Sequence, residues 1–423
     1  MQFRSVFLSL LITSTVFLEV SEGKNWAVLA AGSNGWPHYR HQADVCHAYQ
    51  LLRKNGFPPE NIITFMYDDI ADNEKNPYPG KVFHDYNHKD VYEGVKVDYS
   101  GLDISADTFV EVLTGQQELK DQGNRVLESG PDDNVFIYFT DHGARRLLLF
   151  PYDALDWEYL HETLSNMTAK KMYNKILFYV EAAFAGSMFE NNLPTNIGVL
   201  AMTATNEHES NYATFCDDAK IKSCLADEFS YQWMADIEKN KLSQRKIGEH
   251  FRAVKEALTH SHVKLFGDKK ILDLPLSDFF TYGPQEEIRE TTTDRPIQMK
   301  DESIATQAHV ISLAKQLKES KSPRQMKLAH GQLHRALELS KMARETMDEI
   351  VNAVTTNGPP NGKHNDKHAY VECYRTAYKQ YENKCLSIYQ VPEVSNELEK
   401  LDRLCEQGYD AKVIVQAIFT TCA

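Results

Sequence analysis

The sequence predicts an α/β protein with a mostly parallel sheet flanked by helices, followed by an all-α region. Two observations carry this reading. From residue 26 to about 282, short apolar runs alternate with stretches of helical periodicity. The runs are apolar throughout rather than at every second residue, as strands buried on both faces require. Beyond residue 304 the strand signals stop and spaced apolar residues at helical intervals continue to the end.

Taken in order, the strands expected are 27–30, 62–65, 135–139, 176–180 and 199–202, each short and rich in Val, Ile, Leu, Phe and Tyr. Amphipathic helices are expected over 41–55, 106–114, 155–172, 225–237 and 243–258. A polar stretch from Tyr282 to about Glu302, with Pro284, a run of three threonines and Pro296, reads as an exposed linker. Helices are then expected over 305–317, 326–354, 369–380 and 413–418, interrupted by the Gly358-Pro359-Pro360 breaker. The resulting organisation is a leader over 1–23, an α/β domain over 24–285, a linker over 286–304 and a helical domain over 305–423.

The 423 residues accommodate two domains. A net charge of -14 disfavours nucleic acid or anionic membrane as a partner. Arg4, the apolar run from Val6 to Leu18 and Ser21-Glu22-Gly23 form a secretory leader, too short to span a bilayer, and no membrane span is expected elsewhere. Export makes Asn166-Met167-Thr168 a usable glycosylation sequon at Asn166. Seven cysteines leave at least one thiol unpaired. Cys373, Cys385, Cys405 and Cys422 on the C-terminal helices supply two disulfides, and Cys216 and Cys224 flank a loop that a third can close. Cys46 is left over. With no Cys-x-x-Cys pair, no zinc or other metal site is expected, nor any cofactor.

The chemistry gathers at two strand ends. The third expected strand runs into Asp141-His142-Gly143, and the fourth into Glu181-Ala182-Ala183-Phe184-Ala185-Gly186. In parallel sheets reactive groups collect at the carboxyl ends of strands, so His142 and residue 183 face one cleft if these strands are neighbours. A histidine opposite a thiol performs nucleophilic acyl transfer, taking the thiol proton and returning it to the leaving amine. Gly143 leaves a backbone N–H free to approach a developing oxyanion. Ala183 stands where the thiol belongs.

The segments 24–36 (KNWAVLAAGSNGW), 39–49 (YRHQADVCHAY), 66–71 (MYDDIA), 136–143 (FIYFTDHG) and 224–227 (CLAD) resemble the legumain family of asparaginyl endopeptidases. The segment 83–90 (FHDYNHKD) is similar to the haemoglobinases that parasitic flatworms carry within that family. The resemblance implies a caspase-like catalytic domain and a helical C-terminal prodomain that covers the active site until it is removed in acid. It implies pairing of Cys373 with Cys405 and of Cys385 with Cys422. It assigns His142 as catalytic histidine and Gly143 as oxyanion donor. Asp141 becomes the aspartate linked to succinimide formation and ligase activity. His41 and Ser210 fall at the substrate site, and Arg40, Glu181 and Asp227 line the pocket for an asparagine side chain. That pocket is chemically apt, since a primary amide needs a donor for its oxygen and acceptors for its NH2.

The departures concentrate at the reaction centre. The family writes Glu-Ala-Cys-Glu-Ser-Gly where this chain has Ala183, Phe184 and Ala185. His38 replaces an orienting asparagine, Arg145-Arg146 replace small or Pro-Gly residues, and Asn211 replaces a pocket serine. So many changes together speak against a single engineered Cys-to-Ala exchange. The preferred expectation is an inactive homologue that binds asparagine-containing peptides, protein substrates or the family's endogenous inhibitors, as a decoy or regulator. The alternatives are an active asparaginyl endopeptidase and an interaction protein that acts through its helical domain. The expected location is the secretory pathway, ending in a lysosome-like acidic compartment, a gut lumen or the extracellular space.

Overall fold

The computed structural model describes residues 23–190, 192–282, 297, 299, 301–356, 358, 360 and 367–422. Apart from Gly23, the expected leader lies outside the described residues, as does most of the expected linker. Along the chain the strands are β1 Asn25–Ala31, β2 Ile62–Phe65, β3 Asn134–Thr140, β4 Gly143–Ala144, β5 Leu147–Phe150, β6 Asp153–Asp156, β7 Lys175–Glu181, β8 Val199–Thr203, β9 Tyr212–Thr214, β10 Ala226–Asp227, β11 Lys264–Gly267 and β12 Ser303–Ile304. The helices are α1 Tyr39–Lys54, α2 Ala106–Leu113, α3 Gln117–Asp121, α4 Trp157–Ala169, α5 Glu228–Lys239, α6 Ile247–Ala257, α7 Ser277–Phe280, α8 Ala308–Glu319, α9 Pro323–Thr356, α10 Lys367–Lys384, α11 Val394–Gln407 and α12 Ala411–Thr421.

The central sheet has the order β11-β8-β7-β3-β1-β2. Its strands are parallel except β11, which closes one edge antiparallel to β8. Every residue of β2 and β8 is buried, and β3 and β7 are exposed only at their first residue. Period-2 alternation sends Val135, Ile137 and Phe139 to one core and Phe136 and Tyr138 to the other. The first core packs against Phe109 of α2 and Leu160 and Leu164 of α4; the second packs against Val45 of α1, Trp233 of α5 and Phe280 of α7. Apolar residues on both faces of each strand are thereby explained.

The five expected strands are β1, β2, β3, β7 and β8. The helix expected from residue 155 starts later, because Asp153–Asp156 pairs with β5 and Asp156 then caps α4 by accepting from the backbone N–H of Glu158 and Tyr159. Likewise Ala226–Asp227 pairs with β9, so α5 begins only at Glu228. Ser303–Ile304, at the end of the expected linker, adds a strand to that same small sheet. Helix α11 lies within the expected helical domain, in a stretch to which the sequence assigns no separate helix. The sequon residue Asn166 is exposed but lies on α4 rather than in a loop.

The C-terminal helices α9 to α12 share a core of Met347, Ile350, Tyr381, Leu398, Leu401 and Ile418, continuous with the first core of the α/β region, while Ala308 of α8 packs with Ala213, Cys216 and Cys224. Cys373–Cys405 ties α10 to α11, and Cys385–Cys422 ties the segment after α10 to that after α12. Cys216–Cys224 closes the loop after β9, and Cys46 is free and buried. Among the described residues, no helix is long and apolar enough to cross a membrane.

Trp233 is fully buried, with its ring centroid 5.2 Å from that of Tyr138, 5.5 Å from Tyr179 and 5.7 Å from Phe136. Trp233→Ala is expected to cost about 3–5 kcal/mol, read as a lowered denaturant midpoint without change of slope.

Candidate active site

Strands β3 and β7 are adjacent and in register, Thr140 opposite Glu181, so the segments following them, with His142 and Ala183, emerge side by side. Strand β1 lies on the other side of β3, and its chain continues through a short 3-10 turn, Trp36–His38, into α1. The chain order reverses between β1 and β3, which makes their carboxyl ends the crevice of this sheet. His38 enters it from the end of that 3-10 turn, Arg40 and His41 from the first turn of α1, and Asp227 from the strand leading into α5.

His142 is 2% exposed, and its Nε2 lies 2.9 Å from Nδ1 of His38. His41 Nδ1 lies 2.6 Å from Ser33 Oγ and 3.0 Å from Asp141 Oδ1. The three imidazoles meet as a cluster, His38 and His41 nearly parallel and His142 perpendicular to both. Burial, reinforced by Arg40, holds His38 down at about 3. Burial likewise keeps His41 and His142 well below the usual imidazole range.

Arg40 donates from Nε to Asp227 Oδ1 at 2.8 Å. Asp44 accepts from the Asp227 backbone N–H at 3.2 Å and from Thr140 Oγ at 2.9 Å, with His84 Nε2 at 2.7 Å. Glu181 accepts from Asn211 Nδ2 and from the backbone N–H and hydroxyl of Ser230, each at 2.9 Å. Burial pushes the carboxyls of Asp141, Glu181 and Asp227 well up, although Arg40 pulls Asp227 and Asp141 the other way. Burial raises Asp44 to about 7. Several buried polar atoms here have no hydrogen-bond partner: Arg40 Nη2, Asp227 Oδ2, Asn211 Oδ1 and His41 Nε2, the nearest approach being His41 Nε2 to Asp227 Oδ2 at 3.5 Å.

Ala183 is buried, and its carbonyl oxygen would lie 2.3 Å from a Cβ at position 143, so the close approach of the two strand ends requires glycine there. Phe184 takes a left-handed conformation, φ 57°, held by its N–H to the Glu209 carbonyl at 2.8 Å and by Ser187 Oγ donating to its own carbonyl at 2.6 Å. The Ser187 hydroxyl also accepts from the Arg146 backbone N–H at 2.6 Å. Cys46 is buried against Met66 Sδ at 3.6 Å, and burial pushes its thiol well up.

The C-terminal helices close over the crevice. Helix α8 packs on the 36–38 turn, and its His309 contributes to the depression of His38 and His142. Arg145 donates from Nε to Asp402 of α11 at 2.6 Å, and Tyr374 donates to the Arg145 carbonyl at 2.9 Å. The Arg146 guanidinium sits over the rings of Tyr370 and Trp157. Ser210 donates to Asn396 Oδ1 of α11 at 3.1 Å, so its hydroxyl serves the interface between the two regions. Arg145, Arg146, Asp402 and Asn396 form this closure. The unusual arginine pair in the sequence was its one visible sign.

A model of the Peptidase C13 family matches residues 25–306, and the chain belongs to that family. It is 41% identical over 403 residues to the hemoglobinase of Schistosoma japonicum, covering 95% of this chain and 94% of that one. To the legumain of Rattus norvegicus it is 36% identical over 407 residues, covering 95% and 93%. A solved caspase-1 from Spodoptera frugiperda overlays 62% of this chain and 93% of its own at 11% identity with a TM-score of 0.37, a likeness from which nothing further is drawn.

Two outcomes follow from the geometry. Asp402 is fully buried against Arg145, so Asp402→Ala is expected to destabilise by about 3–5 kcal/mol and to raise hydrogen exchange in α11. The second concerns pH. Between about pH 3 and 6.5 the unfolded chain protonates His38 and the folded protein does not, so this group makes stability rise with pH, by up to about 1.4 kcal/mol per unit. Asp44 acts in the opposite sense from its ordinary 3.8 up to about 7, because there the folded state binds the proton and stability falls as pH rises. His38→Asn removes only the first contribution. Its urea midpoint is expected to rise less, or fall more, with increasing pH than that of the wild type between about pH 3 and 6.5.

Proposed function

We propose that this chain is a catalytically silent member of its family that retains a pocket for asparagine side chains and acts as a decoy or regulator of active relatives. The observation that carries the reading is the methyl group of Ala183 beside His142. Acyl transfer by this arrangement needs an atom that can attack a carbonyl, and a methyl carbon has no lone pair. The nearby alternatives are committed elsewhere: the Ser187 hydroxyl bonds to Phe184 and Arg146, and Cys46 packs on Met66. In this reading His142 and Gly143 are remnants of the catalytic pair, His38 has taken the orienting position, and Asp141 supports His41.

The pocket assignment draws on the unpartnered atoms. Arg40 Nη2 offers a donor, and Asp227 Oδ2 and Asn211 Oδ1 offer acceptors. Together they complement the oxygen and the NH2 of a primary amide. Glu181 holds Asn211 in place. Helices α8 to α12 act as a prodomain-like cover, and release of that cover requires another peptidase cutting near Thr291 to Gln298. An acidic compartment of the secretory pathway is the proposed place of action. A second reading, action through the helical domain, draws on Met326, Leu328, Leu337 and Met342, which are at least half exposed on α9.

Wild type and Ala183→Cys, each nicked in the linker by an added peptidase, separate the possibilities with a fluorogenic asparaginyl peptide at acid pH. Turnover is expected only in the cysteine variant, at least a hundredfold above wild type. Wild-type turnover that disappears in His142→Ala would overturn the silent-homologue reading. For the pocket, nicked wild type is expected to bind an asparaginyl peptide at least tenfold more tightly than its aspartyl or alanyl counterpart. Equal affinities would remove the decoy proposal without requiring a variant of buried Arg40.

A further inference from the structure

The expectation of no metal rested on cysteine spacing and left the histidines out of account. His38 and His41 lie three residues apart at the start of α1, and His142 reaches them from the end of β3. One ring nitrogen of each falls within 4.8 Å of the other two, and all three residues are buried. His38 Nδ1 and His142 Nε2 are 2.9 Å apart. Two imidazole nitrogens bound to one tetrahedral zinc stand about 3.3 Å apart, so this pair is already near ligand spacing and His41 has the longer way to close.

Two further features point to a missing occupant. His41 Nε2 is buried without a hydrogen-bond partner, the nearest carboxylate oxygen being Asp227 Oδ2 at 3.5 Å. On the other side of that ring, Nδ1 is held by Ser33 and lies 3.0 Å from Asp141, the carboxylate-and-hydroxyl backing that fixes the orientation of ligating histidines. Asp141 and Asp227 face His41 at 3.0 and 3.5 Å, and Arg40 is already paired with Asp227.

We propose that His38, His41 and His142 form a binding site for one divalent cation of the zinc, copper or nickel type, with a fourth position left open toward Ala183. The donor set selects the metal: imidazoles suit these borderline ions, and the nearest free thiol, Cys46, faces Met66. The site does not depend on the asparagine pocket. It uses the reaction centre that the missing nucleophile has vacated.

The full-length chain without an affinity tag, expressed in zinc-supplemented medium and dialysed, is expected to carry about one zinc per polypeptide by elemental mass spectrometry. X-ray absorption on that wild-type protein is expected to show a shell of three imidazole nitrogens. His38→Asn and His142→Asn should each weaken zinc at least tenfold in competition with a chromophoric chelator. The double variant His330→Ala, His334→Ala removes an exposed i,i+4 histidine pair on α9 and should leave the zinc content unchanged. Wild-type protein free of zinc, a shell without three imidazoles, or zinc lost with the α9 pair and kept in His142→Asn would each overturn the site. Because the absorption spectrum is read on wild type, an unstable variant does not decide the matter.

Discussion

Arg40 lies fully buried at the start of α1 with Asp227 at 2.8 Å, and its charge reaches Asp44, Asp141 and the histidines around it. In a medium of low dielectric, a single guanidinium cannot balance several ionised carboxyls. The burial of Asp44, Asp141, Glu181 and Asp227 therefore drives these groups toward the protonated form, as their raised values record. The strand ends can pack this closely because the carboxyls are largely neutral and many of their atoms are bonded to Thr140, Ser230, Asn211 and backbone N–H groups. Thus the same network that shapes the crevice also holds β3, β7, α1 and α5 together at their carboxyl-side edge.

The cover formed by α8 to α12 depends on a second buried ion pair. Arg145 crosses from the β4–β5 hairpin to Asp402, and the adjacent Arg146 stacks on Tyr370 and Trp157 from the two regions. Arg375 of α10 returns the contact by reaching Asp156 at 2.7 Å. Since the helical core is continuous with the first core of the sheet, these charges fix the orientation of an interface whose area is apolar. Removal of the cover must expose both the apolar surface and two arginines.

The central sheet was legible because its strands are buried on both faces and so write uninterrupted apolar runs. Short strands such as Ala226–Asp227 and Ser303–Ile304 carry no such pattern; their pairing with β9 is set by the surrounding chain. Helix α11 escaped notice because its apolar positions, Leu398, Leu401 and Leu404, are diluted by acidic and polar residues and follow Pro392. At the site, the convergence of His142 and Ala183 was readable from strand ends alone. The trio of histidines is not, since in the sequence His38 lies far from His142 and marks only a departure from an orienting asparagine. Only the tertiary fold places its Nδ1 on His142 and its ring parallel to that of His41.

This bears on what a retained residue means. Arg40, Glu181 and Asp227 persist, yet each has a partner the fold needs: Arg40 and Asp227 hold each other, and Glu181 caps Ser230 and Asn211. Losing any of them would leave a buried group unpaired, so their presence alone is accounted for by stability. What stability does not account for is the set of atoms left over. Arg40 Nη2 and Asn211 Oδ1 are buried without a hydrogen-bond partner, and His41 Nε2 and Asp227 Oδ2 face each other only at 3.5 Å, although the same side chains are satisfied at their other atoms. Such groups are costly to maintain in the absence of an occupant. The case that the crevice receives an occupant therefore rests on these unsatisfied atoms.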